Sequence, residues 1–184
     1  MRYMKIQKKK INEKSNVVAN SFHGTMHLIR EDLIRKIYNG KLSIFRPTLI
    51  FDSKDPHNGY GPNQFIRLVL KNKKLILFGK GEERRDHIHI ESVIKVLSYA
   101  FFKKKIGTYN IASGKIFSFF FIAKKIEKIF QRKRIIKFKK RNGPLHHLGL
   151  RQFNVNKIKK NFKDIKLISI MDFLDYSNLN EYKK

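Results

Sequence analysis

Short apolar runs, each closed by glycine, proline or asparagine-glycine, alternate along this chain with longer stretches of helical periodicity. That alternation confines it to the α/β class. Ser21 has the chemistry of an N-cap, and Met26, Ile29, Leu33, Ile34 and Ile37 then recur at helical spacing until Asn39-Gly40 stops the run. Residues 42–45 form a strand ended by Arg46-Pro47. A loop over 52–62 follows, and loops of that length inside a compact unit are usually functional, although a plain surface Ω-loop fits as well. The pattern then predicts a helix over 65–71, a strand over 75–78 ending at Gly79-Lys80-Gly81, and a strand over 87–90 running into a helix over 91–104. A strand over 109–112 closes at Ser113-Gly114, and Ser118 opens a helix to 130. An edge strand over 135–138 carries its own protective lysines, and helices follow over 155–161 and from Ser169.

Composition narrows the function classes. With 41% hydrophobic and 12% aromatic residues, the 184-residue chain has the material for a single core. Cysteine is absent, which excludes disulfides, thiolate metal sites and cysteine nucleophiles. The longest uncharged apolar stretch, 116–123, is far short of the roughly 20 residues of a membrane helix. No apolar segment of a secretory signal follows the N-terminus. The expectation is a soluble, cytoplasmic protein without a membrane partner.

Residues 1–20, with Lys5, Lys8, Lys9, Lys10 and Lys14, read as a basic flexible arm ahead of a folded unit over 21–184. The formal charge of +28 points toward polyanions. Lysines outnumber arginines 31 to 11 and are spread over the whole length, however, whereas planar, bidentate recognition of phosphate favours arginine. A basic nucleic-acid-binding module therefore stands as the alternative reading, and specific nucleic-acid binding is not the expectation.

Four segments in order carry a more specific message. They are Phe45-Arg46-Pro47 at a strand end, the run from Leu77 through Gly79-Lys80-Gly81 to Arg85-Asp86-His87-Ile88-His89-Ile90, Glu91-Ser92-Val93 opening a helix, and Tyr109-Asn110-Ile111-Ala112-Ser113-Gly114. Over about 21–174 this set resembles the C-terminal part of the NAD-dependent epimerase/dehydratase family, the extended short-chain dehydrogenases acting on nucleotide sugars. The resemblance implies NAD or NADP as cofactor and a nucleotide sugar as substrate. It also implies a missing piece: no strand, Gly-x-x-Gly-x-x-Gly turn and helix for the dinucleotide pyrophosphate is found here. The expected fold is thus an α/β C-terminal portion that lacks most of the N-terminal Rossmann sheet and keeps two or so of its strands. Such a portion is truncated or split and not catalytic alone. Its expected partners are a separately encoded N-terminal half or a second copy, unless the chain is a structural remnant without a ligand.

By the same resemblance, Gly24 and Glu31 align with the family's catalytic helix and place His23 at its Tyr and His27 at its Lys. These two are the candidate catalytic residues, with His27, Pro47 and Thr48 as the cofactor side. His23, His27 and Glu31 also share one helix face, which leaves a metal reading open, although no metal is assigned. On the substrate side the family's Asn after Arg-Pro is Leu49 here, and its Tyr-Gly-Pro is Phe51-Asp52-Ser53. Asn63 in the polar loop and Arg85, the position of the family's diphosphate arginine, are the candidate substrate-binding residues. Asp86 is expected to orient its turn and His89 to pack through a hydrogen bond. His87 stands where an aromatic residue is usual, and His146 and His147 are expected in a loop.

Overall fold

A computed structural model describes residues 10–16, 19, 21–52 and 55–175. The architecture is mixed α/β, built around three small groups of strands. Helix α1 (Phe22–Ile37) starts as its sequence dictates: Ser21 is extended, and its hydroxyl accepts from the Gly24 amide at 3.1 Å. β1 (Ser43–Pro47) then pairs in parallel with β5 (Gly107–Ile111), Phe45 opposite Tyr109. This pair is a two-stranded parallel sheet.

The second group centres on β4 (Arg84–His89). β2 (Leu49–Phe51) runs parallel along one part of it, Leu49 opposite His87. Along the other part lie antiparallel β6 (Ile116–Ser118) and parallel β8 (Leu150–Arg151). The third group is β3 (Leu75–Phe78) with β7 (Ile136–Lys139), in parallel. β7 has the edge position and outward lysines that its sequence predicts. The helices between them are α2 (Pro62–Leu70), α3 (Ile90–Phe102), α4 (Phe119–Ile129), α5 (Asn156–Asn161) and α6 (Ile170–Asp175).

Two apolar clusters hold these groups. One joins Phe65, Leu75, Leu77, Ile122, Ile126 and Ile170 between α2, α4 and β3. The other joins Ile88, Val96, Ile111, Ile158 and Phe162 around β5. Burial of such side chains stabilises the fold by roughly 1.5–3 kcal/mol each before entropy is counted. Gly81 makes the β3–β4 turn possible: its φ is +66°, and a Cβ there would stand 3.0 Å from the Phe120 amide nitrogen.

Sequence pattern and structure differ where strands are short. β2, β6 and β8 span only two or three residues and have no periodicity to read. β4 begins at Arg84 rather than His87, so the arginines belong to the strand and not to the turn before it. Of the segment read as a basic arm, 1–9, 17, 18 and 20 lie outside the described residues. Ile11 bridges Phe153, and Glu13 accepts from the Asn110 amide at 3.0 Å.

Candidate functional site

The site is built from β4 outward. Alternation along this strand turns Asp86 to one side and Arg85 and His87 to the other. Asp86 accepts from the Ser113 amide (3.0 Å), the Ser113 hydroxyl (2.7 Å) and the Gly114 amide (2.7 Å). It therefore locks the turn after β5 onto β4. Burial raises its pKa despite those donors.

On the other side, Arg85 lies directly opposite Arg151 in the β4–β8 register. Two like charges facing across a strand pair repel unless an anion lies between or beside them. Glu83 supplies part of that compensation, because its carboxylate pairs with Arg85 and accepts from Arg141 Nη1 at 3.1 Å. Burial pulls the pKa of both Arg85 and Arg151 downward, and for Arg85 the neighbouring arginines add to this.

These residues open onto a cleft of about 610 Å³, a volume in the range of small-molecule sites. Pro47, Thr48 and Leu49 form one wall, and Tyr60, Phe78 and Phe119 an aromatic one. Lys139, Lys140, Arg141 and Asn142 close the far side. Thr48 is fixed by donating to the Asp86 carbonyl at 3.0 Å. Tyr60 packs against Phe119 and Phe78 with centroids 4.7 and 5.1 Å away, and burial raises its pKa.

Three sequence candidates, Pro47, Thr48 and Arg85, thus meet in one cleft. The others lie elsewhere. Asn63 is buried, and its amide donates to Asp55 Oδ2 at 2.8 Å, so it braces the loop rather than lining the cleft. His23 and His27 sit exposed on α1, with their Nε2 atoms 3.1 Å apart. Glu31 is not turned toward them. Arg46 Nε reaches its Oε2 at 2.9 Å and Arg35 Nη2 its Oε1 at 2.9 Å, and these arginines lower its pKa, Arg46 most.

His89 caps α3 and stacks on Phe173, 5.0 Å between centroids. His87 is buried, with Nδ1 lacking a partner; burial first, then the charge of Arg85, depress its pKa to about 3. His146 opens a 3-10 turn ending at Gly149.

Sequence reasoning missed Arg141 and Arg151. Both stand in a lysine-rich background and neither sits in a periodic element. Arginine is the minority cation here, and that scarcity is the signal that marks them.

The start of α3 does not suit a dinucleotide pyrophosphate. α3 follows the parallel-paired strand β4 directly, and it opens on His89-Ile90 with no glycine turn. Its capping side chain already accepts the Glu91 amide.

The sequence profile of the NAD dependent epimerase/dehydratase family matches residues 7–112. A curated relative, dTDP-D-glucose 4,6-dehydratase of Dictyostelium discoideum, is 30% identical over an alignment of 124 residues, and the match covers 62% of this chain and 27% of the relative. Among solved structures, UDP-glucuronic acid 4-epimerase from Bacillus cereus, in complex with UDP-glucuronic acid and NAD, superposes with a TM-score of 0.80 at 22% identity. That match covers 96% of this chain and 57% of that one. The dTDP-glucose 4,6-dehydratase of Bacillus anthracis in complex with NAD gives 0.79 at 16% identity, with the same coverage of each chain. This chain therefore spans little more than half the length of these structures. No helix among the described residues is long and apolar enough to cross a membrane. The chain belongs to the NAD-dependent epimerase/dehydratase family.

Proposed function

We propose that this chain is the substrate-binding portion of a nucleotide-sugar epimerase or dehydratase, and that its cleft holds the diphosphate of a UDP- or dTDP-sugar. The observation that carries this reading is Arg85 facing Arg151 across β4 and β8, with Arg141 alongside. Among the described residues lining the cleft are Arg85, Arg141 and Arg151 with Lys139 and Lys140 beside Glu83, and guanidinium forks suit phosphate oxygens. The aromatic wall at Tyr60 and Phe119 offers a face for the apolar parts of the ligand. Asn63 acts on the sugar end through the loop that it braces.

Oxidation and reduction by NAD or NADP belong to the complete enzyme in this reading. His27, Pro47 and Thr48 form the chain's contribution to the cofactor side. His23 and His27 serve as the proton-exchanging pair once a dinucleotide-binding portion is present. That portion, or a second copy, covers the free edge of β1. Alone, the 184 residues bind nucleotide sugar and do not turn it over; a cytoplasmic location goes with this role.

Calorimetry with UDP-glucose and dTDP-glucose tests the reading. Saturable binding is expected, with Arg85→Ala and Arg151→Ala each weakening it by about tenfold or more, as loss of a charge-assisted contact does. Equal affinity in both variants sinks the diphosphate assignment. Duplex DNA bound with a steep salt dependence, and no nucleotide sugar bound at all, favours the nucleic-acid alternative. Turnover of either sugar with NADH refutes the claim of incapacity.

A further inference from the structure

His23 and His27 stand one helical turn apart on α1, and their Nε2 atoms approach to 3.1 Å with the rings nearly perpendicular, at 84°. Both rings are exposed. This is hydrogen-bonding distance between two ring nitrogens, whose donor and acceptor roles follow the tautomers. From this geometry we infer that His23 and His27 chelate a divalent transition-metal cation through their Nε2 atoms.

The distance is that of a chelate. Two nitrogens each about 2.0–2.1 Å from Zn²⁺ stand about 2.9 Å apart at a right angle and about 3.4 Å apart at the tetrahedral angle. The observed 3.1 Å lies between them. The second torsion of histidine is soft, so small ring rotations aim both lone pairs at one point. The frame beneath them is fixed: the Ser21 cap closes the first turn, and a spacing of four holds both residues on one face.

Glu31, one turn further along, is held by Arg46 and Arg35. Among the described residues no third histidine, cysteine or carboxylate completes a cluster. Water therefore fills the remaining positions, and the ion exchanges readily. Imidazole pairs favour Cu²⁺, Ni²⁺ and Zn²⁺, whereas Mg²⁺ demands oxygen ligands and binds no more tightly here than elsewhere on the surface. The bound cation clips the first half of a helix that has no buried residue of its own. It also withdraws both imidazoles from proton exchange, so metal-loaded chain is the form in which that exchange is silent.

Calorimetric titration of the full chain with NiCl₂, ZnCl₂ and MgCl₂ tests this. One equivalent of Ni²⁺ or Zn²⁺ is expected to bind in wild type and to be lost in both His23→Ala and His27→Ala, with Mg²⁺ showing no such equivalent. His57→Ala keeps it. Because both rings are exposed and alanine favours helix, the variants retain their far-ultraviolet circular dichroism. Paramagnetic resonance of the Cu²⁺-loaded chain supplies a second readout: two nitrogen couplings in wild type and one in each variant. An undiminished equivalent in the His23→Ala/His27→Ala double variant, or equal uptake of Mg²⁺, overturns the inference.

Discussion

At the cleft, Arg85 and Glu83 are 6% and 7% exposed, and each charge meets an opposite one. On α1 no residue is buried, and Phe22 and Ile37 are 83% and 73% exposed although both belong to its apolar stripe. The same chain thus contains one region that is closed around its polar groups and another that displays the surface a core would use. α1 is held to β1 and β5 largely by polar ties, Glu31 to Arg46 and Arg35 Nη2 to Thr108 at 2.6 Å. Stability and the ligand cleft lie together on the β4 side. Among the described residues, the α1–β1 side has an unpaired strand edge and an exposed apolar stripe, the kind of surface that favours association.

The largest expected effect lies at Asp86. Asp86→Ala removes an acceptor of three hydrogen bonds and leaves the Ser113 and Gly114 amides facing a buried gap. A loss of about 3–5 kcal/mol is expected in urea denaturation, from unsatisfied buried donors. A cost below about 1 kcal/mol shows that the β4 side is not the stable region, and the comparison breaks.

Next is Glu83→Gln, which removes the charged carboxylate that Arg85 and Arg141 share. Removing one partner of a buried pair costs about 3 kcal/mol. The variant is also expected to bind inorganic pyrophosphate more tightly than wild type, because the cleft has lost its competing anion. If stability falls with no gain in pyrophosphate affinity, Glu83 is a packing group and not the occupant of the anion position.

Much of this division was legible in the residues, and the rest was hidden for a physical reason. Ser21, Ser118 and the glycine turns act on their neighbours within a few residues, so the helix starts and strand ends can be read locally. Arg85 was legible because it sits inside a recognisable run. β8 is a strand only because β4 lies beside it, and Arg151 acquires its meaning from Arg85 opposite. Such pairings join positions far apart in sequence, and no local period announces them. Asn63 shows the same limit: it opens α2, and its bond to Asp55, eight positions back, ties that helix to the preceding loop.

A smaller effect comes from His87. Its folded pKa of about 3 means that the ring stays neutral where an unfolded histidine takes up a proton, near pH 6.5. Between those values the unfolded chain binds more protons, so stability falls as pH falls. From pH 6.5 to 5.5 the loss is about 1 kcal/mol. Carboxylates with lowered pKa, such as Glu31 and Asp172, act only at more acidic pH. Asp86, whose pKa is raised, works in the opposite sense. His87→Phe is expected to flatten the slope in that window in denaturation curves measured at each pH, and an unchanged slope assigns it to another group.

The smallest expected effect is the most informative about α1. Leu33→Ser changes a residue that is already 51% exposed in the stripe, so its cost in the isolated chain is expected within about 0.5 kcal/mol. Leu77→Ala, at a position with no exposure, is expected to cost about 2–5 kcal/mol. The two leucines are thus the same chemistry in the two regions. Leu33→Ser is also expected to reduce concentration-dependent association in sedimentation velocity, because it breaks the apolar stripe without touching the β4 side. If the serine variant proves as unstable as the Leu77 variant, α1 is packed in the isolated chain and the contrast between the regions disappears. If stability and association are both unchanged, the stripe is not a surface that seeks cover, and the contrast between the regions rests on burial alone.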